Sequence, residues 1–221
     1  MYIDKPILIT GCARSGTSLT AGILEICGAY GGKTCGPTAY NKKGQFENTE
    51  IRNQIVKDYL RRNGWDPLCQ DPLPPRDLEP EPEWKDKILT VMRKHGYKGE
   101  RPWYYKGAKM CLMWQLWHDA FPKATWIIVN RNADEIVQSC LKTPFMRKRK
   151  DAASWMEWVN IHRQRFSDME KAGLIVFNVY PSELIAEQLD NMEKIVAFLG
   201  LKWNDEKVKA FIEPKLWNNK R

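Results

Sequence analysis

The first apolar cluster, Ile7, Leu8 and Ile9, is an uninterrupted run that reads as a short buried strand over 7–10. A glycine-containing loop follows it, then a helix predicted over 16–27 with Gly28 placed to stop it. Asn48 is positioned to cap a second helix, in which Ile51, Ile55, Tyr59 and Leu60 form one apolar face until Gly64. Further helices are predicted over 84–95, 112–121, 133–141 and 152–171, and strands over 103–106, 125–130 and 174–179. Short helices close the chain.

Two stretches break this rhythm. Residues 31–47 are polar and glycine-rich, a segment expected to line something rather than fill a core. Residues 66–83 hold six of the thirteen prolines, with Asp and Glu between them, which excludes regular structure and implies a long loop or lid. A domain boundary there is disfavoured, because the 65 residues before it contain one clear strand and could hardly close a core alone. One domain over 1–221 is therefore expected. Strands separated by helices imply right-handed crossovers, hence an α/β three-layer sandwich with a central parallel sheet and helices on both faces.

Composition narrows the class without changing the fold. With 43% hydrophobic and 28% charged residues the chain is globular rather than disordered or fibrous, and no apolar run approaches the roughly 20 residues of a membrane-spanning helix. The N-terminal residues carry no apolar stretch of signal-peptide length, so a cytoplasmic protein is expected. Six cysteines, at 12, 27, 35, 69, 111 and 140, include no C-x-x-C pair and read as reduced thiols, with neither a disulfide framework nor a zinc site. The net charge of +8 fits nucleic acid, a membrane surface or a small polyanion, and charge alone does not choose. The densest cluster, Arg147-Lys148-Arg149-Lys150, reads as a solvated loop, with an anion-facing role as the alternative.

The strongest local signal is Gly11-Cys12-Ala13-Arg14-Ser15-Gly16-Thr17-Ser18, between a strand and a helix. Such a loop turns successive backbone N–H groups toward an anion, and the helix N-terminus adds partial positive charge. The spacing is that of the nucleotide-binding P-loop, with Thr17 in the lysine's place. ATP and GTP enzymes use that lysine, together with an acidic metal ligand after another strand. Here the later strand ends in Val129-Asn130-Arg131, a cation instead of a carboxylate, so a nucleotide bound without metal is expected.

Arg14-Ser15-Gly16-Thr17-Ser18 resembles the 5′-phosphosulfate loop of sulfotransferases, which bind 3′-phosphoadenosine 5′-phosphosulfate (PAPS). A second motif of that family, an Arg at a strand end with a Ser eight residues on, is matched by Arg131 and Ser139, with Ala133 where proline is usual. The resemblance is to the small bacterial-type enzymes. Their N-x-x-G-x-F-E segment is matched by residues 41–47, and a Lys-Asp-Pro-Arg stretch by Lys106-Gly107-Ala108-Lys109, with three replacements. Leu19 stands where cytosolic sulfotransferases carry a tryptophan against adenine.

The resemblance implies a P-loop-type fold and a PAPS site formed by Cys12, Ala13, Arg14, Ser15, Gly16, Thr17, Ser18, Arg131 and Ser139, with adenosine 3′,5′-bisphosphate as product and no metal. It places Lys106 near the sulfuryl group, where Lys106 and Arg14 are suited to stabilise moving charge. Glu47 is the expected base for a hydroxyl acceptor, with His118 as runner-up, although His118 sits on a Trp- and Leu-rich helix as a core histidine would. Trp114 and Trp117, three apart, read as core; Trp65 could stack on an acceptor. The expected acceptor is a small molecule or carbohydrate bearing a hydroxyl or amine, with neither nucleic acid nor membrane as partner. Two competing readings are a P-loop nucleoside or nucleotide kinase, which the missing lysine disfavours, and a nucleic-acid-binding module, for which no motif is found.

Overall fold

A computed structural model describes residues 2–39 and 41–216. Four strands, β1 (Ile7–Gly11), β2 (Tyr104–Lys106), β3 (Thr125–Val129) and β4 (Ile175–Val179), form an all-parallel sheet in the order β2-β1-β3-β4. The chain moves from β1 to one neighbour and later returns to the other. The crevice above the C-terminal ends of β1 and β3 is therefore the topological switch point, where open α/β sheets bind ligands.

Alternation along the strands divides the core. Leu8 pairs with Tyr105 and Trp126, and this face, with Ile128, packs against α3 (Trp84–Lys94), α4 (Trp114–Ala120), α5 (Ala133–Lys142) and α6 (Ala152–Lys171). Ile7, Ile9, Ile127 and Val129 point the other way, onto α1 (Thr17–Ile26), α8 (Asp190–Phe198) and α9 (Asp205–Phe211). The short α2 (Lys57–Arg62) joins the first face, and α7 (Pro181–Ile185) the second. A sheet covered on both faces is the three-layer arrangement that uninterrupted apolar strands demand.

Gly28, at φ 106°, ends α1 as expected. Asn48 also caps as expected, its Oδ1 accepting the Ile51 N–H at 3.1 Å. The helix that follows departs from the prediction, because Ile51–Val56 is wound as a π-helix before α2 begins. The helix predicted over 112–121 is likewise preceded by a 3₁₀ stretch, Ala108–Met113. Thr10 accounts for that turn, its Oγ1 donating to the Gly107 carbonyl at 3.2 Å and accepting the Cys111 N–H at 3.1 Å.

Residues 66–83 contain no helix or strand, and they are strapped down. Gln70 is buried, accepts the N–H groups of Arg147 and Lys148, and donates to the Phe145 carbonyl. Trp158 Nε1 donates to the Cys69 carbonyl, and Arg76 on the loop clamps Asp168 on α6 with two donors. The basic cluster is correspondingly not all solvated. Arg147, Lys148 and Lys150 are exposed, but Arg149 is turned inward to the carbonyls of Gln70 and Ser154. All six cysteines are free thiols. Among the described residues no helix is long and apolar enough to cross a membrane.

Candidate active site

The loop between β1 and α1 is shaped by one tight approach and two left-handed residues. A Cβ on Gly11 would lie 2.6 Å from Ser15 Oγ and from the Val129 carbonyl, so only glycine lets the loop leave β1 this closely against β3. Arg14 (φ 72°) and Gly16 (φ 101°) turn the chain back into α1, and the Ser15 N–H closes on the Cys12 carbonyl at 3.1 Å. No side chain caps α1, whose N-terminus opens into a cavity of about 650 Å³. Ala13, Arg14, Gly16, Thr17 and Ser18 line that cavity. Cys12 and Ser15 are buried behind it, and Ser15 Oγ has no hydrogen-bond partner.

The end of β3 contributes the second group. Asn132 caps α5 through the Glu135 N–H, which sets Arg131 at the cavity and Ser139 two turns on. Arg131 Nη1 donates to the Arg14 carbonyl at 2.7 Å and its Nε to Glu135 at 2.8 Å; Arg14 Nε in turn donates to Ser139 Oγ at 3.1 Å. Arg14 on the loop after β1 is thus interlocked with Arg131 and Ser139, on the turn after β3 and on α5, over a hundred residues away in sequence. Burial, with the charge of Arg131 beside it, lowers the basicity of Arg14.

A separate electrostatic cluster lies over β2. Lys106, at the strand end, is 6% exposed, and Glu47 faces the same cavity at 9%. Burial pushes the Lys106 ammonium down; Glu47 opposes that, while Lys109 and Arg52 reinforce it. For Glu47, burial alone would raise the carboxyl, but Lys106, Lys109 and Arg52 together outweigh it and hold it below the usual range. Arg52 Nη1 makes the direct contact, 3.4 Å from Glu47 Oε2 and 3.0 Å from Gln45 Oε1. Lys57 and Lys109 line the same wall.

Arg52 and Lys57 are functional candidates that sequence reasoning missed. In an α-helix, positions five apart point about 140° away from one another. In the π-helical stretch the Lys57 N–H bonds to the Arg52 carbonyl, which stacks the two residues one turn apart and turns both side chains to the cavity. Trp158 and His162 also reach the cavity from α6, with His162 driven down to about 4 by burial. His118 does not line it and instead sits against Trp114 on α4. Trp65 packs edge-on to Tyr59, while Trp117 is buried and stacked on Tyr105. A second cavity, of about 570 Å³, shares Arg131 but contains none of the residues of the loop after β1. Among the described residues no group of three or more His, Cys, Asp or Glu side chains could hold a metal.

The sulfotransferase family profile matches residues 6–205, and the chain belongs to that family. Its fold is shared with the sulfotransferase STF9 of Mycobacterium avium (TM-score 0.65, 16% identity, covering 99% of this chain and 69% of the other). It is also similar to the sulfotransferase STF1 of Mycobacterium tuberculosis H37Rv (TM-score 0.53, 15% identity, 94% and 70%). A third likeness is the sulfotransferase domain of the Synechococcus PCC 7002 olefin synthase (TM-score 0.53, 14% identity, 97% and 86%). No curated protein sequence matches significantly.

Proposed function

We propose that the protein is a PAPS-dependent sulfotransferase that transfers the sulfuryl group to a hydroxyl or amine of a small-molecule or carbohydrate acceptor, without a divalent metal. The observation that carries this reading is the uncapped, cation-flanked N-terminus of α1, with Thr17 where a P-loop kinase has lysine, facing the interlocked Arg14, Arg131 and Ser139. The residues present fit the nucleotide. The Gly11 approach fixes the turn that brings Ala13, Arg14, Gly16, Thr17 and Ser18 to the cavity, and the donor set of guanidinium, ammonium, hydroxyl and amide there suits phosphate and sulfate oxygens.

When bound, PAPS supplies an activated S–O bond whose sulfur accepts an in-line nucleophile and whose leaving group is a phosphate. Loop amides and Thr17 hold the 5′ end, and Arg131 with Ser139 holds the 3′-phosphate. Lys106 and Arg14 offset charge on the equatorial and leaving oxygens, work that fixed donors in a poorly solvated site do well. Glu47, kept ionised by its cationic neighbours, takes the proton from the acceptor hydroxyl as the new S–O bond forms. Calorimetry on the purified protein tests the reading. Adenosine 3′,5′-bisphosphate should bind in the presence of chelator, and ATP–magnesium and duplex DNA should bind far more weakly; preference for ATP–magnesium would replace the reading with a kinase.

A further inference from the structure

The cavity holds more positive charge than the nucleotide's place in it accounts for. Along the C-terminal edge of the sheet, Arg131 follows β3, the Gly11–Gly16 loop follows β1, and Lys106 ends β2. The same cavity is lined by Lys109 of the turn after β2, by Arg52 of the π-helical stretch and by Lys57, the first residue of α2. Lys106, Lys109 and Arg52 act electrostatically on Glu47, and Lys109, Arg52 and Glu47 act on Lys57. Glu47 is the one carboxylate of this group, and Arg52 already engages it. Lys57 and Lys109 are half-buried with no ion pair among the described residues, and Lys106 is buried with none. Burial, and then the charges of Lys109 and Arg52, push the Lys57 ammonium down against the support of Glu47.

The geometry points to an acceptor that is itself an anion, a hydroxyl compound whose phosphate or carboxylate is held by Lys57 and Lys109 while its hydroxyl meets Glu47. This rests on the sulfotransferase reading and names its substrate class. A neutral acceptor would leave two half-buried ammonium groups of one cavity without an ion pair, whereas an anionic group satisfies both and leaves the hydroxyl free for Glu47. Leu68, Phe145 and Met146 also line the cavity and supply apolar contact for the body of the molecule.

The test uses protein saturated with adenosine 3′,5′-bisphosphate, so that the nucleotide's anion sites are filled, titrated by calorimetry with glucose, glucuronate and glucose 6-phosphate. Either anionic sugar should bind at least about tenfold more tightly than glucose, the equivalent of one charge-assisted hydrogen bond. Which of the two wins separates carboxylate from phosphate. That advantage should shrink with added salt, disappear in Lys57→Ala/Lys109→Ala and return in Lys57→Arg/Lys109→Arg. Unchanged bisphosphate affinity in the alanine variant shows that it has folded. Equal affinity for all three sugars, or an advantage that survives the alanine pair, overturns the inference. Failure of the bisphosphate itself to bind would instead overturn the sulfotransferase reading.

Discussion

Arg131→Ala separates a nucleotide site from a merely structural arginine. In the protein the guanidinium does three things: Nη1 pins the Arg14 carbonyl at 2.7 Å, Nε pairs with Glu135 at 2.8 Å, and the group lines the cavity together with Ser139. A hydrogen bond from a charged donor to phosphate contributes about 1.5–3 kcal/mol. Its loss should weaken adenosine 3′,5′-bisphosphate about 10–150-fold, at 1.4 kcal/mol per decade. Part of the effect could arise through the Arg14 loop, so the assay is calorimetry with two ligands, the bisphosphate and adenosine 5′-monophosphate, on parent and variant. If Arg131 reads the 3′-phosphate, the bisphosphate weakens and the monophosphate does not, and the parent's preference between them collapses. Ser139→Ala should cost less, since Arg14 Nε also competes for that hydroxyl. An unchanged bisphosphate affinity, or an equal loss for both ligands, refutes the assignment.

Chelator should leave the transfer rate from PAPS essentially unchanged, and a strict magnesium requirement would count against the proposal that Arg14 and Lys106 stabilise the moving charge. Glu47→Gln should lower kcat on an alcohol acceptor by about 10²–10⁴ with nucleotide affinity near normal, and the loss should shrink on a nitrophenol, whereas a Lys106→Ala loss should persist there. Because its cationic neighbours hold Glu47 below the usual carboxylate range, the parent's rate should fall on acidification only below about pH 4.3, the ordinary glutamate value, and Glu47→Gln should lack that limb. Gly11→Ala forces a Cβ to 2.6 Å from the Val129 carbonyl and should cost about 1–3 kcal/mol, a Tm drop of about 2–12 °C, together with loss of bisphosphate binding. Gly36→Ala, where a Cβ meets nothing within 4 Å, is the control.

The strands were readable because β1 and β3 are compact apolar runs in the buried middle of a parallel sheet and β2 and β4 are short runs led by aromatic or β-branched residues, so β1, β2 and β4 begin or end within a residue of the positions expected. The loop and the Arg131–Ser139 pair were readable for a different reason, since each is a local spacing on one strand–turn–helix unit. What stayed hidden depends on departures from ordinary periodicity. Ile51, Ile55, Tyr59 and Leu60 look like one α-helical stripe, and no residue among them signals that the turn widens to π geometry and brings Arg52 and Lys57 together. The 3₁₀ stretch after β2 depends on Thr10, about a hundred residues earlier, and the anchoring of 66–83 depends on Gln70 reaching the backbone of 145–148. Those are long-range contacts, which spacing along the chain does not encode.

Glu47 and Lys106 show what the pairing of β2 with β1 achieves for the site. A buried ammonium ordinarily seeks a carboxylate, and a direct Glu47–Lys106 ion pair would satisfy both while leaving neither available to a ligand. In this chain Arg52 occupies Glu47, and no ion pair forms between Glu47 and Lys106 among the described residues. Glu47 is near enough to support the Lys106 charge, as the direction of its influence shows, yet among the described residues the ammonium has no ion-pair partner. A desolvated cation held in that way interacts strongly with an incoming anion, because little water must be displaced and no internal pair must break. The π-helical stretch is what makes this possible: it sets Arg52 against Glu47 and leaves Lys57 one turn further on. The sheet order then places that carboxylate and its surplus cations beside the end of β2, next to the loop after β1.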